Sequence, residues 1–259
     1  MNRRTFLKGA SAGIAATSLL GTKAVANSAK ELRVGLIGCG GRGTGAAMQA
    51  LNADPDVVLY AMGDLTADRL QQSHAGLTTT FGDRLQADST RQFVGFNAFE
   101  KVIEQVDVIL LATPPVFRPQ HLRAAVEAGC HVFCEKPVAV DGAGVRSVLE
   151  TAAMAQAKGL SVASGFCWRS AFGHRALYQR IHQGEIGKVV GVHATYMAGQ
   201  LWSKERQAEW SDLDYQLRNW VYYAQLGGDH VVEQAIHSVD KILWAKSDET
   251  PSSVMASGG

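Results

Sequence analysis

Three groups of residues in this 259-residue chain have types and spacings that could do chemistry. The first is Gly38-Cys39-Gly40-Gly41-Arg42-Gly43, a G-x-G-x-x-G loop that follows the β-branched run Leu32 to Ile37 and precedes a helical stretch, Thr44 to Leu51. In such a loop the first glycine permits the tight turn. The second lets the backbone approach a pyrophosphate, and the third lets the helix pack closely on the strand. The N–H groups at the helix start then face the phosphate charge. The second group is a set of strand ends. Val57 to Ala61 leads to Asp64, 26 residues after Gly38; Val106 to Ala112 ends on Thr113-Pro114-Pro115; His131 to Cys134 ends on Glu135-Lys136-Pro137. The third is Glu233-Gln234-Ala235-Ile236-His237, an acid four residues before a histidine in a helical pattern.

A lone glycine loop is a weak signal, and the strand ends strengthen it. The Asp64 carboxylate is placed to accept the adenosine ribose hydroxyls, which favours NAD because a 2′-phosphate would be repelled. The alternative is a helix N-cap, since Asp64 to Asp68 also opens a helical pattern. Arg42 could reach a 2′-phosphate, so NADP stays open. A lysine at the end of a strand beside a nicotinamide can give a proton to, or take one from, a hydroxyl being oxidised. The plain alternative for Lys136 is a surface lysine before a proline turn. On a helical wheel Glu233, His237, Asp240 and Trp244 share an arc of roughly 60°, while Val232, Ile236, Val239 and Leu243 share another, so one stripe can face a site and the other a core. His237 could equally be a helix histidine paired with Glu233 at i,i+4.

The elements that must position these groups alternate. Strands at 32–37, 57–61, 106–112, 131–134 and 160–164 are separated by helical stretches, among them 121–128 and 142–158, which predicts a doubly wound parallel sheet. In such sheets ligands sit beyond the carboxyl ends of the strands, so Thr113, Pro114, Glu135 and Lys136 converge with the glycine loop on one edge.

The glycine loop, Ala112-Thr113-Pro114-Pro115 and Ala128 to Pro137 together resemble the glucose-fructose oxidoreductase, inositol dehydrogenase and rhizopine-catabolism (Gfo/Idh/MocA) family, from about residue 32 to the end. The resemblance implies a Rossmann domain at 32–166, followed from 167 by an α/β domain whose open sheet covers the substrate. It implies NAD(P)-dependent redox chemistry on a sugar or cyclitol. Lys136 falls on the lysine that touches nicotinamide and substrate, and Glu233 and His237 fall on the second catalytic motif. Many members have Asp where this chain has Glu233. Trp168 and Arg169 match the crossover where an arginine often lies near substrate; Ile186 to Tyr196 matches the first strand of the second domain, after a helix at 176–184. Arg218 and Trp220, before the catalytic helix, suit sugar stacking and hydroxyl contacts, although aromatic residues are more often core. Members usually continue through most of a second sheet, in this family usually the oligomer surface. The stop in Ser252 to Gly259 is therefore read as a truncation that leaves the second domain incomplete, and a lone strand there has no sheet to bury it.

Residues 2–8, Asn-Arg-Arg-Thr-Phe-Leu-Lys, the apolar run Gly9 to Leu20 and Ala24-Val25-Ala26 resemble a twin-arginine signal peptide cleaved after Ala26. The run has 12 residues, against about 20 needed to span a bilayer. Export to the periplasm through the twin-arginine machinery is the expectation. No free nicotinamide pool is maintained there, so the expected cofactor is tightly bound and its hydride must be returned. That allows oxidation of one sugar coupled to reduction of another, or redox-neutral glycoside hydrolysis; a non-catalytic nucleotide-binding protein is a third reading.

Composition narrows the rest. With 46% hydrophobic and 19% charged residues the chain is an ordinary globular one. Its formal charge of +1 and lack of a basic run recommend no nucleic-acid partner. Cys39, Cys130, Cys134 and Cys167 have no paired C-x-x-C spacing and no zinc-like His cluster, so they read as free thiols and no metal is expected.

Overall fold

Short β-branched and leucine-rich runs, each closed by glycine, proline or a polar turn, set the strands of this protein. The structure, a computed structural model, describes residues 31–257; the signal-like segment 1–26 lies outside them. β1 (Leu32–Ile37), β2 (Val57–Asp64), β3 (Gln92–Val94), β4 (Val108–Leu111), β5 (His131–Cys134) and β6 (Val162–Ser164) form one sheet in the order β3-β2-β1-β4-β5-β6. Every pairing is parallel. This is the doubly wound dinucleotide-binding order, with the switch point between β1 and β4.

Parallel strands covered on both faces should be apolar throughout, and each face of the sheet has its own core. Leu36, Leu59 and Met62 meet Leu51 of α1 (Gly41–Ala53) and Leu70 and Leu77 of α2 (Ala67–Phe81). Ile37, Ile109, Leu111 and Val132 meet Val102 of α3 (Ala98–Ile103) and Leu122 and Val126 of α4 (Arg118–Glu127). Ala155 of α5 (Gly142–Ala157) joins the second cluster. All four cysteines are free; Cys39, Cys130 and Cys134 are buried.

Beyond β6 the architecture changes. α6 (Phe172–His182) starts earlier than the pattern at 176–184 predicts. Residues 187–206 form no regular element, so the expected strand Ile186 to Tyr196 is not present. A strand needs a partner for its ladder, and none of the described strands pairs with that stretch; Val190 is 92% exposed. α7 (Asp212–Arg218), α8 (Ala224–Gly227), a π-helical turn at Val231–Ala235 and α9 (Ile236–Ala245) follow. Tyr178 of α6 stacks on Trp244 of α9 at 3.9 Å. Of the apolar stripe that could face a core, Val232, Ile236 and Leu243 are half-buried and Val239 is 43% exposed, while Gln234, Ser238 and Asp240 are buried.

Candidate nucleotide and active site

The glycine loop is fixed by contacts that no larger residue would allow. Gly38 has φ +95°, and a Cβ on it would lie 2.7 Å from the Ala112 carbonyl carbon and the Thr113 nitrogen. A Cβ on Gly43 would lie 1.8 Å from the Gly38 oxygen, so α1 rests directly on the loop. Gly40, by contrast, has open space where a Cβ would go. It is the N-cap of α1 and supplies no side-chain hydrogen bond, and no acidic residue lies in the first turn. The first amides of α1 therefore point into a cavity of about 720 Å³ lined by residues 37–45, Asp64, Thr66, Arg69, Thr113 and Pro114. Open backbone donors, a first helical turn without an acid and a cavity of this size fit a dinucleotide pyrophosphate.

Asp64 is buried at the end of β2 and works first as a staple. Its Oδ2 accepts the Cys39 N–H at 2.7 Å, and its Oδ1 accepts the Thr66 N–H at 2.9 Å. It thus joins the glycine loop to the start of α2, and the helix N-cap itself is Thr66. Burial, with the Asp64 charge beside it, pushes the Cys39 thiol well up, so Cys39 stays a neutral packing residue. Arg42 does not turn toward Asp64. Its Nε pairs with Glu135 Oε1 at 2.8 Å and its Nη2 donates to Gln49 Oε1 at 2.9 Å, so it links the loop after β1 to the end of β5, past β4. Glu135 is thereby held by the loop, and neither it nor Lys136 lines the large cavity.

Lys136 reaches the other way. Its Nζ donates to Glu233 Oε1 at 2.8 Å and also to the Glu233 carbonyl, with both side chains 16% exposed. The expected role of Glu233, orienting His237 at i,i+4, is not what the geometry gives. Glu233 lies in the π-turn, where the wider winding breaks the 3.6-residue alignment, and π-turns of this kind recur at functional sites. His237 stands nearby with Nδ1 buried and without a hydrogen-bond partner among the described residues. Phe166 meets its ring edge-on at 6.1 Å, and the Tyr196 ring lies at 6.4 Å. Burial, then the Lys136 ammonium, lowers the His237 pKa, which keeps the imidazole neutral near pH 7. Glu233 also lines a cavity of about 260 Å³ with Tyr222, Asp229 and His230.

One residue that organises these strand ends carried no signal in the sequence. Arg118, 4% exposed, donates from Nε to Thr113 O at 2.8 Å and from Nη1 to Glu135 O at 2.9 Å and to Pro137 O. It ties the turn after β4 to Glu135-Lys136-Pro137, whose Lys136–Pro137 peptide is cis. His121, also unflagged, stacks on Phe99 at 4.1 Å, and its Nδ1 lies 3.4 Å from Thr113 Oγ1. Both are found only through contacts distant in sequence.

The four residues expected at a substrate do not gather. Arg169 is committed to two carboxylates, Nε to Asp240 at 2.9 Å and Nη2 to Asp248 at 2.6 Å, because two acids of the α9 region converge on it. Trp168 packs on His174 and carries the Lys241 ammonium at 4.3 Å over its ring. Arg218 and Trp220 line the large cavity on the side of Asp64, not the Lys136–Glu233 pair.

Sheet order, glycine loop and cavity define a dinucleotide-binding Rossmann protein. The chain belongs to the Gfo/Idh/MocA family: the model for this oxidoreductase family with an NAD-binding Rossmann fold matches residues 32–165. Inositol 2-dehydrogenase 4 of Saccharopolyspora erythraea is 31% identical over 171 residues, 65% of this chain and 46% of that protein. A glycosyl hydrolase family 109 protein of Shewanella amazonensis is 26% identical over 251 residues, 88% of this chain and 52% of that one. The crystal structure of apo scyllo-inositol dehydrogenase from Lactobacillus casei shares the fold, with a TM-score of 0.61 at 20% identity over 83% of this chain and 55% of that one. The chain spans about half the length of the curated relatives it matches.

Proposed function

We propose that this protein is an NAD(P)-dependent oxidoreductase acting on a sugar or cyclitol hydroxyl. The observation that carries the reading is the Lys136–Glu233 ion pair, which joins the end of β5 to the Glu233–His237 segment. The nucleotide, when bound along the glycine loop, supplies the hydride acceptor. Lys136, an ammonium paired with Glu233, donates a hydrogen bond to the hydroxyl oxygen and the neutral His237 takes its proton as the carbon gives up its hydride, so charge does not build on the oxygen. Glu233 holds the Lys136 nitrogen in place and balances the ammonium. Burial and the Lys136 ammonium keep His237 neutral, which leaves its imidazole able to accept that proton. Asp64, at the end of β2, favours NAD over NADP, and the Arg42–Glu135 pair removes Arg42 from service to a 2′-phosphate.

Export through the twin-arginine machinery to the periplasm belongs to the same proposal, supported by the residues at 2–26. It goes with tightly held nucleotide and a returned hydride, and with a homo-oligomer for the whole protein. A redox-neutral glycoside hydrolysis is the second reading, favoured by the overlap of 88% of this chain with a glycosyl hydrolase family 109 protein. One experiment separates them: a panel of sugars, cyclitols and aryl glycosides is added to nucleotide-loaded protein. Net carbonyl product supports the oxidoreductase; glycoside cleavage with no net change in nucleotide supports the hydrolase. No reaction with any member, or undiminished turnover in Lys136→Met, contradicts the proposed chemistry.

A further inference from the structure

The wall of the large cavity that faces Asp64 comes from outside the family-matched residues 32–165. Trp202, Lys204, Arg218 and Trp220 line it. These residues belong to a segment whose two ends are fastened to each other. Asn219, 2% exposed, accepts the Lys204 N–H on Oδ1 at 2.7 Å and donates from Nδ2 to Lys204 O at 3.1 Å. Trp202 and Trp220 meet edge to face at 6.1 Å. Between them α7 begins with a reciprocal cap, Ser211 with Asp214, which fixes the helix start.

The segment is also latched to the Rossmann sheet. Arg218 forks onto Asp68 in the first turn of α2, with Nη1 2.7 Å from Oδ2 and Nη2 3.0 Å from Oδ1. A bidentate arginine fixes orientation as well as distance. Arg218 lines the same cavity, its guanidinium lies 4.5 Å over the Trp210 ring, and its Nε is buried without a hydrogen-bond partner among the described residues. Asp68 lies four residues after Asp64, beside the position a dinucleotide-binding sheet gives to the adenosine ribose.

We infer that residues 201–220 form a strap that holds the adenosine half of the nucleotide, with Trp202 and Trp220 presenting aromatic surface, Arg218 and Lys204 presenting donors, and the Asp68–Arg218 pair as its latch. The inference rests on the reading that the cavity takes a nicotinamide dinucleotide. Aromatic faces suit a purine, and the cationic donors of Arg218 and Lys204 that line the cavity suit ribose or phosphate oxygens. It reassigns Arg218 and Trp220 from substrate to nucleotide.

The test follows release of NADH by stopped flow, and binding of ADP-ribose and nicotinamide mononucleotide, in the purified 259-residue chain and in Asp68→Asn, Arg218→Gln and Trp220→Leu. The strap predicts about tenfold faster NADH release and about tenfold weaker ADP-ribose binding in each variant, equivalent to ~1.4 kcal/mol. Binding of nicotinamide mononucleotide should not change. Arg218→Lys, which keeps the charge without the fork, should fall between. Asp68→Asn guards against misfolding, because a pair with one partner this exposed contributes little to stability; its melting temperature should match wild type. If wild type binds tightly and well-folded variants release at its rate, the strap is wrong while the nucleotide reading stands. If wild type binds neither NADH nor ADP-ribose, both fall.

Discussion

The stretches before and after β6 are built on different physics. Before it, the parallel strands β1, β2, β4 and β5 bury apolar side chains on both faces of the sheet, and backbone contacts as tight as Gly43 on Gly38 leave no freedom. After it, burial is sparse: Phe172, Val190 and Met197 are each more than 85% exposed, and order comes from side-chain pairs such as Arg169 with Asp240 and Arg218 with Asp68. The nucleotide half is held by packing, whereas the later half is held by ion pairs, caps and ring stacking. The Lys136–Glu233 and Asp68–Arg218 pairs both join the two.

That contrast predicts unequal costs. The largest falls on Gly43→Ala, whose Cβ would collide with a backbone oxygen on a loop that cannot retreat. It should cost about 3 kcal/mol, seen as a large fall in denaturation midpoint with loss of nucleotide binding; a variant of wild-type stability would mean that α1 does not rest on the loop. His121 comes next. Burial lowers its pKa to about 4, against about 6.5 in the unfolded chain. Between those values the unfolded chain holds a proton that the folded one does not, so stability is full above pH 6.5 and falls as pH drops toward 4. The loss attributable to this group approaches roughly 3 kcal/mol. His121→Phe, which keeps a ring against Phe99, should flatten that acid limb in pH-dependent urea unfolding; an unchanged limb would show that the ring is not kept neutral. Smallest is Asp248→Asn. Its side chain is 56% exposed, so losing its pair with Arg169 should cost about 1 kcal/mol or less, with most of the loss gone in high salt. A larger, salt-insensitive loss would show that the later half is held by packing after all.

The same division decided what could be read from sequence. β1, β4 and β5 are apolar runs ending on glycine or proline, and their ends carry Thr113, Glu135 and Lys136. β3 and α3 escaped because Gln92–Val94 has three residues and Ala98–Ile103 six, too few for a period to show. The pairing of Glu233 was misread because a wheel of 3.6 residues per turn does not describe a π-turn. The strand at 186–196 was misread because a strand pattern is realised only beside a partner. Arg118 was invisible because its three acceptors are carbonyls of residues 113, 135 and 137, brought together only by the turns after β4 and β5.

The central claim is that the glycine-loop cavity holds a nicotinamide dinucleotide. Its most direct test is calorimetric titration of the purified chain, first freed of any nucleotide by mild unfolding and refolding, with NAD+ and NADP+. The account predicts one site per chain, tighter for NAD+, with the preference reduced in Asp64→Ala. Absence of binding by either nucleotide to well-folded protein would contradict it.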